Sequence, residues 1–256
     1  MVGQREQEEE EYDDLGFWEK IVQPICAEFT GTFFLAYASA MCVTSTAVLP
    51  ICIAQGFVTA ALCIAFINIS GGHLNPCVTL SVWLSGGMKI LPFILYLPSQ
   101  FLGALVGAVF VRASVLENSF NEIFGGASKF RGNRMISPYN EWELINTWDT
   151  TPVLGLIINV IVSIVIFTTY LQCNIDNRRP VKLPIMYGFA ITACSLATYV
   201  TSGAGFNPVV SLCNGMLAGY FDDLYVYIVA PICGCLVSAA FFRLLLGDED
   251  KRFFGK

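Results

Sequence analysis

The chain has 256 residues, 55% of them hydrophobic and 13% charged, with a net charge of −6 and a mean hydropathy of +0.62. A soluble domain carries about 25% charged residues, so a soluble enzyme is excluded, and the absence of a basic stripe excludes a nucleic-acid partner. The apolar residues fall in long runs, the pattern of a chain whose solvent is lipid.

Residues 1–20 form an acidic tail, in which Glu6, Glu8, Glu9, Glu10, Glu11, Asp13, Asp14 and Glu19 outweigh Arg5 and Lys20. The tail lacks the basic start of a secretory signal, which assigns membrane insertion to the first span itself. Six apolar stretches follow, at residues 21–49, 51–69, 90–111, 153–173, 183–200 and 224–242. A bilayer core takes about 20 helical residues to cross, and a backbone that must satisfy its own hydrogen bonds in lipid makes these stretches helices. Glu28 is the one charged residue inside them. The 10 cysteines lie in or beside apolar segments without metal-ligand or disulfide spacing, and are read as small buried hydrophobes. No cofactor or metal constellation is present, so none is expected.

The stretches divide the chain into a first three-helix repeat at 21–112, a long connection at 113–152 read as a surface loop, a second repeat at 153–246 and a short tail at 247–256. Lys and Arg outside the spans are concentrated on the face that holds both chain ends, while Arg112, Lys129, Arg131 and Arg134 lie on the other. That bias predicts a multipass protein with both termini cytoplasmic.

An internal repeat sets the architecture. Ser70-Gly-Gly-His-Leu-Asn-Pro-Cys-Val-Thr-Leu returns as Ser202-Gly-Ala-Gly-Phe-Asn-Pro-Val-Val-Ser-Leu at a shift of 132 residues, which also lays Gly56-Phe57 on Gly188-Phe189. At a shift of 131, Gly103-Ala-Leu-Val lies on Gly234-Cys-Leu-Val. Two homologous halves of three spans each must be inverted relative to one another, and inverted halves bring equivalent motifs to a shared site near the bilayer midplane.

The repeated motif is Asn75-Pro76 and Asn207-Pro208, each after a loop of small residues and before an apolar stretch too short to span. Asn is a preferred N-cap, and Pro has the φ of a first helical residue with no N–H to waste. Each pair therefore predicts a re-entrant half-helix. If the two enter from opposite faces, their positive ends meet at mid-membrane. The Asn amides can then donate to a passing neutral molecule while the dipoles repel cations.

These residues resemble the aquaporin, or major intrinsic protein, family. The likeness runs from Gln23-Pro-Ile-Cys-Ala-Glu-Phe-Thr-Gly-Thr through Ile69-Ser-Gly-Gly-His-Leu-Asn-Pro and Ser99-Gln-Phe-Leu-Gly-Ala to the second Asn-Pro. Phe17-Trp through Gln23-Pro and Asn68-Ile-Ser-Gly-Gly-His are most similar to the aquaammoniaporin branch. The resemblance implies an all-α hourglass of six membrane helices and two half-helices, a pore in each subunit of a homotetramer in the lipid bilayer, and passive passage of water and small neutral solutes such as ammonia, urea, peroxide and glycerol. It also implies pore-lining roles for Asn75, Asn207, His73, Cys77 and Val209, structural roles for Pro76 and Pro208, and a brace from Glu28 to loop backbone.

Two departures from the family stand out. The third motif residue, usually Ala, is Cys77 in one copy and Val209 in the other. The four positions of the outer selectivity filter fall on Gln55, Ser195, Ala204 and Val210, with Val210 where an Arg is usual. With none of the four charged or aromatic, a wide, uncharged entrance is expected. Ser211 stands where glycerol-conducting members usually carry Asp, and Asn159 where the second repeat usually has its own Glu. Two rival readings are an ion-coupled secondary transporter, for which a single intramembrane carboxylate is too few ionisable groups, and a structural membrane tetramer that conducts nothing.

Overall fold

The computed structural model describes residues 16–44, 47–129, 151–175, 183–247 and 252–253. A π-helical turn, Trp18–Val22, leads into α1 (Gln23–Cys42), and α2 (Val48–Ser70) is followed by the half-helix α3 (Pro76–Leu84) and by α4 (Ile90–Ser114). The short α5 (Glu117–Glu122) and a tight turn at Phe124–Gly126 come next. The second repeat is α6 (Pro152–Asn174), α7 (Leu183–Ser202), the half-helix α8 (Pro208–Ala218) and α9 (Leu224–Phe241), closed by a π turn at Phe242–Leu246. Among the described residues, six helices of 19 to 25 residues are long and apolar enough to cross a membrane. The bundle is the all-helical architecture expected.

The first boundary differs from the sequence reading, which carried the first span to residue 49. The first helix ends at Cys42, and Val48, Leu49 and Pro50 already belong to α2. The apolar run is continuous across the turn, so hydropathy has no break to register. Pro50 is tolerated in the first turn of α2, where its missing N–H would have had no helical partner.

Large apolar side chains such as Phe34, Phe57, Ile64, Phe110, Ile161 and Phe189 point outward, and small ones mark where helices cross, as lipid-solvated packing requires. The repeat-matched glycines are these crossing points. A Cβ on Gly188 of α7 would stand 2.6 Å from the Gly56 carbonyl of α2. Gly103 and Gly107 of α4 sit against the backbone of α1 at Phe29 and Phe33, and Gly234 of α9 sits against Ser163 of α6. Ser99 Oγ donates to the Ile25 carbonyl at 2.6 Å and the Tyr37 hydroxyl to Ser114 Oγ at 3.2 Å, so α1 and α4 run parallel. Gly234 meets Ser163, and four residues on, Ser238 Oγ accepts from Thr168 Oγ1 at 3.2 Å, which sets α6 and α9 in the same relation. The starts of α1 and α4 thus share one face with the end of α9, called here the terminal face; residues 115–129 lie on the opposite, loop face.

Residues 113–124 of the long connection are mostly exposed, but the connection does not stay on the surface throughout. Phe120, Gly125 and Ala127 are buried. Gly125 and Gly126 take φ of 57° and 78°, left-handed values that glycine adopts without strain, and Gly126 presses on Ala40 with no room for a Cβ. This double turn drives residues 126–129 back into the bundle. The rest of the connection lies outside the described residues, as do most of the two tails.

Candidate pore

The two Asn-Pro pairs meet. Pro76 and Pro208 are the first residues of α3 and α8. Asn75 Nδ2 donates to the Phe206 carbonyl at 3.0 Å, and Asn207 Nδ2 donates to the Leu74 carbonyl at 2.8 Å. Each amide is therefore fixed to the residue preceding the other asparagine, and the half-helix N-termini face each other. Leu74 and Ala204 reach this register with φ of 52° and 49°, values uncommon for residues with a Cβ. The copies differ in one respect: Asn75 Oδ1 caps its own helix, accepting from the Cys77 N–H at 2.9 Å, whereas Asn207 makes no side-chain cap and its Oδ1 has no partner among the described residues.

Glu28 holds the first loop. One carboxylate oxygen accepts from Ser70 Oγ at 2.6 Å and the His73 N–H at 3.0 Å, and the other from the Leu74 N–H and Gln100 Nε2, both at 2.7 Å. The side chain is fully buried. Four donors on one carboxylate provide the compensation that a buried charge needs. Gln100 Nε2 also donates to Thr79 Oγ1 at 2.8 Å, and Thr79 Oγ1 donates to the Asn75 carbonyl at 3.2 Å. His73 Nδ1 lies 3.1 Å from Thr79 Oγ1, which joins the ring to the same network. Asn159, the repeat counterpart of Glu28, reverses the polarity: its Nδ2 donates to the Gly155 and Ser202 carbonyls at 2.9 and 3.4 Å. Among the described residues, no carboxylate braces the second loop.

That loop is held from outside. Ser128 Oγ and Ser211 Oγ are 2.9 Å apart, and Asn214 Nδ2 donates to the Gly126 carbonyl at 3.2 Å. Gly203 abuts the Lys129 carbonyl, and Gly205 lies against Ser128 and Tyr227.

A cavity of about 100 Å³ opens from the loop face down to the paired asparagines, with Gln55, Thr59, Ala204, Val210 and Lys129 on its wall and Asn75, Asn207 and Tyr187 at its floor. Of the four filter positions, Gln55, Ala204 and Val210 line it. Ser195 is buried behind Gln55, donating to Gln55 Oε1 at 3.2 Å. Lys129 also contributes to the wall, with its ammonium 3.4 Å from the centre of the ring of Phe124, which lies outside the lining. Three residues read as pore-lining lie off this cavity. Val209 packs with Ala36, Ala104 and Cys213 between the second half-helix and the α1–α4 pair, a cluster that Val210 also touches from its place on the cavity wall. Cys77 is 1% exposed within the central apolar cluster. His73 is buried toward the terminal face, edge-on to Tyr96 and Tyr170. Sequence reasoning missed Lys129, because a cation in a long loop carries no positional signal, and Tyr187, because a tyrosine in an apolar run reads as packing.

None of the cavity-lining residues is a cysteine, and thiol chemistry needs both access and thiolate character. Mercurials should accordingly block flux only weakly; strong, reversible inhibition that survives Cys77→Ser would place a reactive thiol on the path.

The model of the family described as major intrinsic protein matches residues 17–242. Aquaporin-8 of Mus musculus is 29% identical over 245 residues, covering 94% of this chain and 88% of the relative. Aquaporin PIP2-7 of Musa acuminata is 26% identical over 250 residues, covering 92% and 84%. The X-ray structure of the aquaglyceroporin from Plasmodium falciparum superposes with a TM-score of 0.67 at 19% identity, over 86% of this chain and 95% of that one, a likeness of fold. The aquaporin-8 similarity is consistent with the subfamily resemblance read from the motifs.

Proposed function

Because the chain belongs to the major intrinsic protein family, and is thus an integral membrane channel passing water and small solutes rather than an enzyme, we propose that its path runs through the loop-face cavity and between Asn75 and Asn207. The observation that carries this reading is the reciprocal amide brace at the cavity floor. It aims two helix N-termini at one point, each equivalent to about half a positive charge, where a neutral solute is tolerated and a cation is not.

The mouth is proposed to be formed by Gln55, Ala204 and Val210, with Ser195 holding the Gln55 amide from behind. Val210 supplies neither the fixed charge nor the several donors of an arginine, and those donors are what penalise solutes unable to replace water's hydrogen bonds. The mouth therefore admits ammonia, peroxide, urea and glycerol as well as water. The functional unit is proposed to be a homotetramer with one path per subunit and both termini in the cytoplasm, as the family resemblance and the distribution of Lys and Arg support.

Swelling of proteoliposomes in gradients of each solute tests the reading. The protein should pass water above the protein-free background, and Val210→Arg should lower the permeability to urea more than that to water. The opposite ranking, or no change in either flux, would put Val210 off the path.

A further inference from the structure

The cavity ends on a tyrosine. Tyr187 of α7 is 3% exposed and stands one helical turn before Ile191 on the same wall, with its hydroxyl beside the Asn75 amide. Behind it lies Tyr170 of α6, fully buried, with ring centres 5.1 Å apart edge to face. The Tyr170 hydroxyl donates to the Gly71 carbonyl at 2.8 Å, and the Tyr96 hydroxyl to the Ser70 carbonyl at 3.2 Å. With Leu74 held by Asn207, three carbonyls of the first loop are occupied by side chains of the protein itself. The second loop differs. Ser202 and Phe206 are held by Asn159 and Asn75, as their counterparts Ser70 and Leu74 are held, but the carbonyl of Gly203, the counterpart of Gly71, accepts no hydrogen bond among the described residues, and Gly203, Ala204 and Gly205 line the cavity. A solute entering from the loop face has polar partners as far as the asparagines and then meets aromatic rings.

The repeat supplies an independent reason to look at Tyr187. The register that superposes the two Asn-Pro pairs lays Gln55 on Tyr187, Ser195 on Cys63, Ala204 on Gly72 and Val210 on Val78. The first members of these pairs form the mouth, so the second members form its image on the terminal-face side. That image is assembled: Tyr187, Cys63 and Val78 belong to one buried cluster, and a Cβ on Gly72 would stand 3.2 Å from Cys63 Cα. Where the mouth has the slender amide of Gln55, its image has a phenol ring.

We propose that Tyr187, packed on Tyr170, is the size-selecting constriction of the path, and that solutes admitted at the mouth are sorted there, with water, ammonia and peroxide favoured over urea and glycerol. This rests on the channel reading above and names the residue that sets its solute range. The ring acts by occupying cross-section: it is buried edge to face against Tyr170, so a larger solute can pass only by displacing it.

The test compares purified parent and variants in proteoliposomes. Tyr187→Ala should raise the ratios of urea and glycerol permeability to water permeability about tenfold, equivalent to about 1.4 kcal/mol off the barrier, while Tyr187→Phe, which keeps the ring, should leave both ratios at the parent value. Tyr187→Cys, in a parent that resists mercurials, should become blockable by an impermeant organomercurial added from the loop face, a readout that does not depend on how well the alanine variant folds. A parent that passes water, with ratios unmoved in Tyr187→Ala and no block of Tyr187→Cys, would overturn the constriction and leave the channel reading standing. Vesicles in which neither parent nor variants exceed the protein-free background would overturn both.

Discussion

Replacing Glu28 with Leu is expected to abolish folded protein rather than merely slow it. The substitution leaves Ser70 Oγ, the His73 and Leu74 N–H groups and Gln100 Nε2 facing an isobutyl group. A buried donor stripped of its acceptor costs about 1–3 kcal/mol, so several at once approach the about 5–15 kcal/mol that stabilises a whole domain. Glu28→Gln should be milder for a specific reason. It keeps one acceptor oxygen, and Gln100 Oε1, which has no partner at present, can turn toward the new amide and accept from it. Yield of monodisperse protein after detergent extraction, compared across the two variants, decides the matter; equal yields would mean that the carboxylate does not brace the loop.

Replacing either asparagine with Leu should reduce water flux about tenfold or more, since a lost donor and an apolar side chain at the cavity floor both raise the barrier, at about 1.4 kcal/mol per factor of ten. The two positions should separate in stability. Asn207→Leu orphans the Leu74 carbonyl, whereas Asn75→Leu orphans the Phe206 carbonyl and also removes the cap on the Cys77 N–H, the loss of which typically costs about 1 kcal/mol. The Asn75 variant should therefore unfold at lower temperature than the Asn207 variant while losing a similar share of its flux. Unchanged permeability in either, at equal protein per vesicle, would remove that asparagine from the path.

Lipid makes much of this fold legible in one sequence, because a backbone that must satisfy itself leaves few solutions for six apolar stretches. The repeat then converts two short motifs into a statement about symmetry. Gly56 and Gly188, matched first as letters, are the contact between α2 and α7. The Asn-Pro pairs likewise start their half-helices because Pro is unsuited to later positions in a helix. Three things were not legible. The turn between α1 and α2 is hidden in an unbroken apolar run. The inward course of residues 126–129 depends on a double left-handed turn at Gly125 and Gly126, and two glycines in a loop read as flexibility unless the surface they meet is known. Lastly, Tyr187 and Val209 could not be assigned to their sides of a helix, since hydropathy in a bundle surrounded by lipid does not separate a path from a packed interior. The repeat register did hold a clue to Tyr187, in its alignment with Gln55.

The unequal holding of the two half-helices bears on how the chain is made. Every partner that fixes α3 through Glu28 lies between residues 28 and 100, so this brace is complete by the time α4 leaves the ribosome, while the ties to Tyr170, Phe206 and Asn207 wait for the second repeat. The second half-helix waits on nothing that follows it for its polar ties, because Gly126 and Ser128 precede it in the chain. Biosynthesis thus meets the Glu28 brace first, and the segment from Gly126 to Ser128 then serves as the landing site for the second half-helix, which brings the first loop its remaining partners.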